Sequence, residues 1–265
     1  MTNLTSSTTP VATTQVVHLD FIALSATATA DAVEDLIAEA AGLTQLASVQ
    51  VAGVIRTATA TREALEARTT EASAAPPQPT PSRVGTPPHA QSAGVPVSDF
   101  DLAFFFVLDG FTSLEPFGTD PRYIRFLQGK VARLLRGFAG ADVALSAPFP
   151  DVQPFATCLA LMAPEQTYDW EVRAALESWT RQAGDPPRAQ PHLSREGGLN
   201  TPDASASPSL ASQAALNAIG LAIGERQRYR GCVLSFTTTE TTPERPADRR
   251  FESTLIAGHA TRLQA

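Results

Sequence analysis

The sequence predicts an α+β fold: a β-α-β-β-α-β unit in the first half, followed by a degenerate second α+β unit. Three observations predict it. Residues 15–24 alternate in the period of a strand. The very apolar run 100–109 is followed, after a turn-rich bridge, by a long amphipathic segment, 121–138. Proline-, alanine- and serine-rich blocks interrupt the chain without any periodicity of their own.

Alternation in the first strand puts His18, Asp20, Ile22 and Leu24 on one face and Val17, Leu19, Phe21 and Ala23 on the other. Thr29 or Asp31 suits the cap of a following helix, with Val33, Leu36, Ile37 and Ala40 as its apolar stripe and Gly42 as its stop. Residues 48–55 read as a second strand. Residues 61–72 could form a short polar helix, but the block 57–97 as a whole reads as a disordered insertion, because 74–96 offers too little apolar surface to offset its ordering entropy. The aromatic run 100–109 is too short to span a membrane and reads as a buried third strand.

The long amphipathic segment opens with Asp120 as cap and Pro121 in the first turn. Ile124, Leu127, Val131, Leu134, Leu135 and Phe138 fall on one face. Arg122, Arg125, Lys130, Arg133 and Arg136 lie mostly on the other, read as a solvated face, and Gly137 and Gly140 mark the stop. Residues 142–145 form the fourth strand. This order is that of a split β-α-β, or ferredoxin-like, unit, whose helices pack on one face of the sheet and whose other face needs a cover.

The second half, residues 149–265, supplies a candidate cover. Residues 155–162 read as a strand; Thr167 caps a helix with the stripe Val172, Ala175, Leu176 and Trp179, ended by Gly184. Residues 185–208 form a loop insertion containing His192, and 209–226 an apolar helix carrying Leu216, Ile219 and Ile223. Residues 230–238 and 251–259 are expected to pair as a hairpin.

Composition narrows the function. Hydrophobic residues make up 43% of the 265, enough for a substantial core, and 21 prolines are gathered in the biased blocks. A net charge of −7 argues against nucleic acid, whose phosphates need a basic surface. Residues 1–14 are uncharged, rich in threonine and serine, and read as a disordered terminus rather than a secretory signal. No run reaches the ~18 apolar residues of a membrane span. Cys158 and Cys232 each lie in an apolar run and read most simply as buried thiols of a reducing, cytoplasmic compartment, with a disulfide between them as the alternative. His18, His89, His192 and His259 show no paired spacing and there is no CxxC, so no metal is expected. Motifs for nucleotide binding and for a serine nucleophile are missing as well.

Two stretches resemble the stress-responsive A/B barrel (Dabb) family of the dimeric α+β barrels. One is the strand Val17-His18-Leu19-Asp20-Phe21. The other runs from Phe100-Asp101-Leu102-Ala103-Phe104 to Asp120-Pro121-Arg122-Tyr123-Ile124-Arg125-Phe126, where that family typically has a strand, a bridge and a His-Pro-x-His-x-x-Phe helix start. The resemblance covers residues 16–146 with the insertion set aside. It implies two such sheets closing a barrel, as an intramolecular pseudo-dimer or as a homodimer, and a small apolar molecule between a sheet and its helices. Polyketide cyclases of the family place a histidine in the first strand, a tyrosine in the bridge and a histidine at the helix start; here those places carry His18, Phe117 and Tyr123.

His18 is the leading candidate, as a base looking into a hollow roofed by the neighbouring sheet. Asp20, two residues along and ~7 Å away, would orient it, and Tyr123 would polarise a carbonyl oxygen. Ile22, Phe104, Phe117 and Phe126 would line the ligand. The competing reading of His18 is a satisfied histidine near the mouth of a core strand, and of the aromatics, Trp170 and Trp179 included, simple core. His259 could face a pocket in the second unit. Two functions stay open: a cofactor-free lyase, cyclase or isomerase acting on an apolar carbonyl compound, or a non-catalytic ligand-binding or stress-associated barrel.

Overall fold

The structure is a computed structural model, and it describes residues 15–74, 100–145, 149, 155–162, 166–182, 192–193, 231–237, 240 and 250–265. The expected disordered terminus 1–14, His89 and the apolar helix 209–226 lie outside the described residues.

The elements run β1 Val16–Leu24, α1 Ala30–Ala41, β2 Val49–Arg56, α2 Arg62–Ala74, β3 Leu102–Leu108, α3 Leu114–Thr119, α4 Pro121–Phe126, α5 Ala132–Leu134, β4 Leu135–Ala144, β5 Phe155–Met162, α6 Asp169–Gln182, β6 His192–Leu193, β7 Gly231–Thr237 and β8 Glu252–Arg262. The strands form one sheet in the order β4-β1-β3-β2-β8-β5-β7-β6. Every neighbouring pair is antiparallel. The last four strands therefore echo the first four.

The two halves meet where β2 pairs with β8, from Gly53↔Arg262 to Arg56↔His259, and the bond from Leu263 N to Ala52 O extends this seam at 2.8 Å. Gly258 makes the close approach possible, since a Cβ there would stand 1.8 Å from the Arg56 carbonyl oxygen. At the far end β4 comes near β6 and β7, so the sheet curls. Its inner face carries Val17, Leu19, Phe21, Phe105, Cys158, Leu234, Phe236 and Ile256 in one buried cluster drawn from both halves. Phe105 lies over Gly53, where a Cβ would meet its ring at 2.0 Å.

On the other face of the first four strands lies a core of Ile22, Leu36, Phe104, Phe106, Phe117, Tyr123, Phe126 and Val131. Helix α1 begins at Thr29, whose hydroxyl accepts from Ala32 N at 3.2 Å, and buries Val33, Leu36 and Ala40. Asp120 caps α4 by accepting from Arg122 N at 2.8 Å, with Pro121 in the first turn. In the second half, Val172, Leu176 and Trp179 of α6 pack on Leu159, Leu161, Val233 and Leu255.

Five expectations are corrected. The long helix stops at Leu134, and residues 135–138 open β4. All of β1 demands a partner, and β4 supplies one from Leu24↔Leu135 to Val16↔Ala144; Gly137 and Gly140, weak in a helix interior, fall inside that ladder. The short helix expected over 61–72 is present as α2, so the start of the presumed insertion is folded. Leu65 of α2 is buried, and Arg68 reaches Asp101 at 3.0 Å. That carboxylate also accepts from Leu24 N and the Thr59 hydroxyl, both at 2.7 Å, and so fastens α2 to the approach of β3. The last two strands are not a hairpin: β5 lies between them and pairs with both. His192, expected in a loop, stands in a short strand paired with β7. Trp170 is exposed at 67%, whereas Trp179 is buried. Among the described residues no helix is long and apolar enough to cross a membrane.

Candidate functional site

Register builds the site. His18 stands opposite Phe106 of β3 and Asp142 of β4, and Asp20 opposite Phe104 and Gly140. Residues opposite each other in a ladder share a face, so Asp142 is delivered to the side of His18. The face concerned is the helix side of the sheet. Val17, Leu19 and Phe21, not His18, look into the space between the halves. The expected hollow under the neighbouring sheet is thus replaced by a position beneath α3 and α4, because the alternation of β1 sends even-numbered residues toward the helices.

Helix α4 then brings Tyr123 down onto the pair. The His18 Nε2 lies 2.8 Å from the Tyr123 hydroxyl, which donates to both oxygens of Asp20 at 3.0 Å. His18 Nδ1 lies 2.7 Å from Asp142 Oδ1. Asp20 Oδ1 is also 3.3 Å from Nε2, closer than strand spacing alone suggests, because both side chains lean toward the phenol. The result is a continuous chain, Asp142–His18–Tyr123–Asp20. Asp20 is fully buried, while the His18 and Asp142 side chains keep 17% and 31% of their surface exposed.

The surroundings are aromatic. Phe117 of α3 presents an edge-on contact to the His18 ring at 5.4 Å and lies 4.4 Å from the Tyr123 ring; Phe106 lies 5.0 Å from Phe117. Phe104 and Phe126 meet edge to face at 5.4 Å and, with Ile22, lie in the helix-side core. Of the residues expected to line a ligand, Phe117 touches the cluster directly, whereas Ile22, Phe104 and Phe126 serve as packing around it.

Charge follows from geometry. Burial works to lower the pKa of His18, but the two carboxylates of Asp20 and Asp142 outweigh it and the ring is pushed up to about 10. Burial first, and then the Asp20 carboxylate, holds the Tyr123 phenol well above its usual range. At neutral pH the ring is an imidazolium and the phenol is neutral. One consistent set of donors results: Nδ1–H to Asp142, Nε2–H to the Tyr123 oxygen, and the Tyr123 O–H to Asp20.

Asp142 is the residue missed by sequence reasoning. Its signal was the length of β4: once that strand is extended back to Leu135, pairing with β1 sets Asp142 against His18. His259 is 65% exposed and 3.0 Å from Glu240, on the surface rather than in a pocket. Cys158 and Cys232 are buried free thiols, and burial pushes both well up, which suppresses thiolate chemistry. Among the described residues no group of three or more His, Cys, Asp or Glu side chains could hold a metal ion.

No family profile matches the chain, and no curated protein does. Among solved structures, it is similar to a crystal structure of a mutant chlorite dismutase from Candidatus Nitrospira defluvii in complex with cyanide, at 13% identity and a TM-score of 0.40, over 94% of this chain and 91% of that one. A likeness at that level fixes neither fold family nor chemistry.

Proposed function

We propose that the protein is a cofactor-independent enzyme of the α+β barrel type, a lyase, cyclase or isomerase that acts on an apolar carbonyl compound. The observation that carries this reading is the chain Asp142–His18–Tyr123–Asp20: four hydrogen-bonding groups joined end to end, closed in by aromatic rings at one end and reached by solvent at the other. The echoed strand order supports a ferredoxin-like unit and its degenerate copy standing in for the two subunits of a Dabb-type barrel.

The roles differ from those expected for the residues alone. An imidazolium cannot accept a proton, so His18 serves as the acid, not the base. Asp142, not Asp20, holds its Nδ1. Asp20 keeps the single proton of the Tyr123 hydroxyl and so holds the phenol in place, while the Nε2–H of the ring is the donor that a carbonyl oxygen takes when it displaces the Tyr123 oxygen. Charge developing on that oxygen is stabilised by a cationic donor already in place.

A second reading is favoured by one observation: both ring nitrogens of His18 and both oxygens of Asp20 already have partners. In that reading the cluster ties α4 to β1 and β4, and the barrel binds ligands without catalysis. Turnover of aromatic β-diketone and polyketide-like substrates separates the two. The enzyme reading expects His18→Ala to lose roughly a hundredfold or more in kcat/KM, as for removal of a positioned acid. It also expects activity to fall as pH rises through about 10. A responsive substrate turned over equally by His18→Ala would leave the non-catalytic reading.

A further inference from the structure

The second half echoes the strand order of the first but not its chemistry. On β5, Ala156, Cys158 and Ala160 face the space between the halves, while Leu159 and Leu161 face α6. Thr157 must then share the helix side with Leu159. Across the ladder Thr157 stands opposite Ser235 of β7, so the two side chains are neighbours on one face. They occupy the pair of strands that corresponds to β1 and β3, where His18 faces Phe106.

Both residues are buried, Thr157 at 2% and Ser235 at 3% exposure. Among the described residues neither side chain has a hydrogen-bond partner, although the buried carboxylates of Asp20 and Asp101 in the first half each have several. Leaving a buried hydroxyl unsatisfied is costly, and two adjacent ones in native structure call for a guest. Paired residues in an antiparallel ladder have Cβ atoms about 4.5–5.5 Å apart, a spacing from which two O–H donors converge on one acceptor atom. Phe155 and Leu159 flank Thr157 along β5, Val233 flanks Ser235 along β7, and the half-buried Ala257 of β8 stands on the other side of Thr157. The pair is thus uncharged, has these apolar neighbours among the described residues, and is equipped to donate twice.

We propose that Thr157 and Ser235 form a second binding site, in which their hydroxyls together hold the carbonyl oxygen of a small, neutral, apolar ligand. The site is separate from the His18 cluster and stands whether or not that cluster is catalytic. With no acid or base beside it among the described residues, it binds without turning over.

Cyclohexanone is a suitable probe, titrated into the full chain and followed by the infrared stretch of its carbonyl and by the amide signals of Thr157 and Ser235. The expected result is saturable binding with the stretch lowered relative to an apolar solvent, as two donors require. Affinity should fall at least about tenfold when both hydroxyls are removed in Thr157→Val/Ser235→Ala, while Gly42→Ala, outside both sites, binds as the wild type does. An unshifted stretch in the wild type overturns the proposal and leaves the hydroxyls to bound water; so does binding that survives the double substitution, or binding that moves the amide signals around His18 and not those of Thr157 and Ser235. The infrared arm needs no variant, so a double variant that failed to fold would not protect the idea.

Discussion

Nδ1 of His18 lies 2.7 Å from Oδ1 of Asp142, and the two residues face each other across β1 and β4. That contact, with the buried Asp20 on the far side of the ring, makes His18 a cation. It also ties the charge to the fold, because only the folded chain brings both carboxylates to the imidazole.

Stability should therefore depend on pH in a defined direction. The folded-state pKa of His18 is raised from its ordinary 6.5 to about 10. The contribution of the group is complete below about 6.5 and is lost as pH rises through about 10. Urea midpoints measured from pH 6 to pH 10 should fall across that window, and His18→Gln should flatten the fall. A flat wild-type profile would contradict the charged ring.

Tyr123→Phe takes the shared donor from both Asp20 oxygens and leaves a fully buried carboxylate with His18 at 3.3 Å as its remaining polar contact among the described residues. The expected loss is about 1–3 kcal/mol. Because the residues form one network, adding Asp20→Asn should cost less than the two single losses summed. Denaturation of the four members of this cycle measures the coupling; strict additivity would mean that the phenol and carboxylate do not communicate.

How far the sequence reaches can be seen in individual residues. The alternation of β1 correctly put His18 and Asp20 on one face, and Thr29, Asp120 and Pro121 marked helix starts that the structure contains. The junction at Leu135 was illegible because Leu134, Leu135 and Phe138 continue a helical stripe; only pairing with β1, a contact made at long range, turns Leu135 and Phe138 into strand residues. Asp142 was lost with that junction. The neighbours of β7 and β8 were equally hidden, since two apolar runs in sequence do not reveal that a third, β5, comes between them. Charge on His18 depended on both of its carboxylate neighbours, and the sequence pattern offered one.

The seam between the halves has a steric test. In Gly258→Ala the new Cβ would meet the Arg56 carbonyl at 1.8 Å, a backbone contact that cannot swing away. Overpacking of this kind typically costs about 1–3 kcal/mol, and here it should also loosen the β2–β8 ladder, visible as faster amide exchange at Gly53 and Ile55. Gly42→Ala is the control. That helix-end position has ordinary right-handed helical backbone angles, and a methyl placed there would meet nothing within 4 Å, so its melting point should hold or rise slightly. Equal effects at the two sites would mean that β2 and β8 are not in contact.

The most direct measurement is the ¹⁵N spectrum of the His18 ring at pH 8. Its position between Asp142 and Asp20 predicts two protonated nitrogens at that pH, with a midpoint near 10 that drops in Asp142→Asn. A neutral ring at pH 8, titrating near 6.5, would contradict the account and remove the acid on which the proposed chemistry rests.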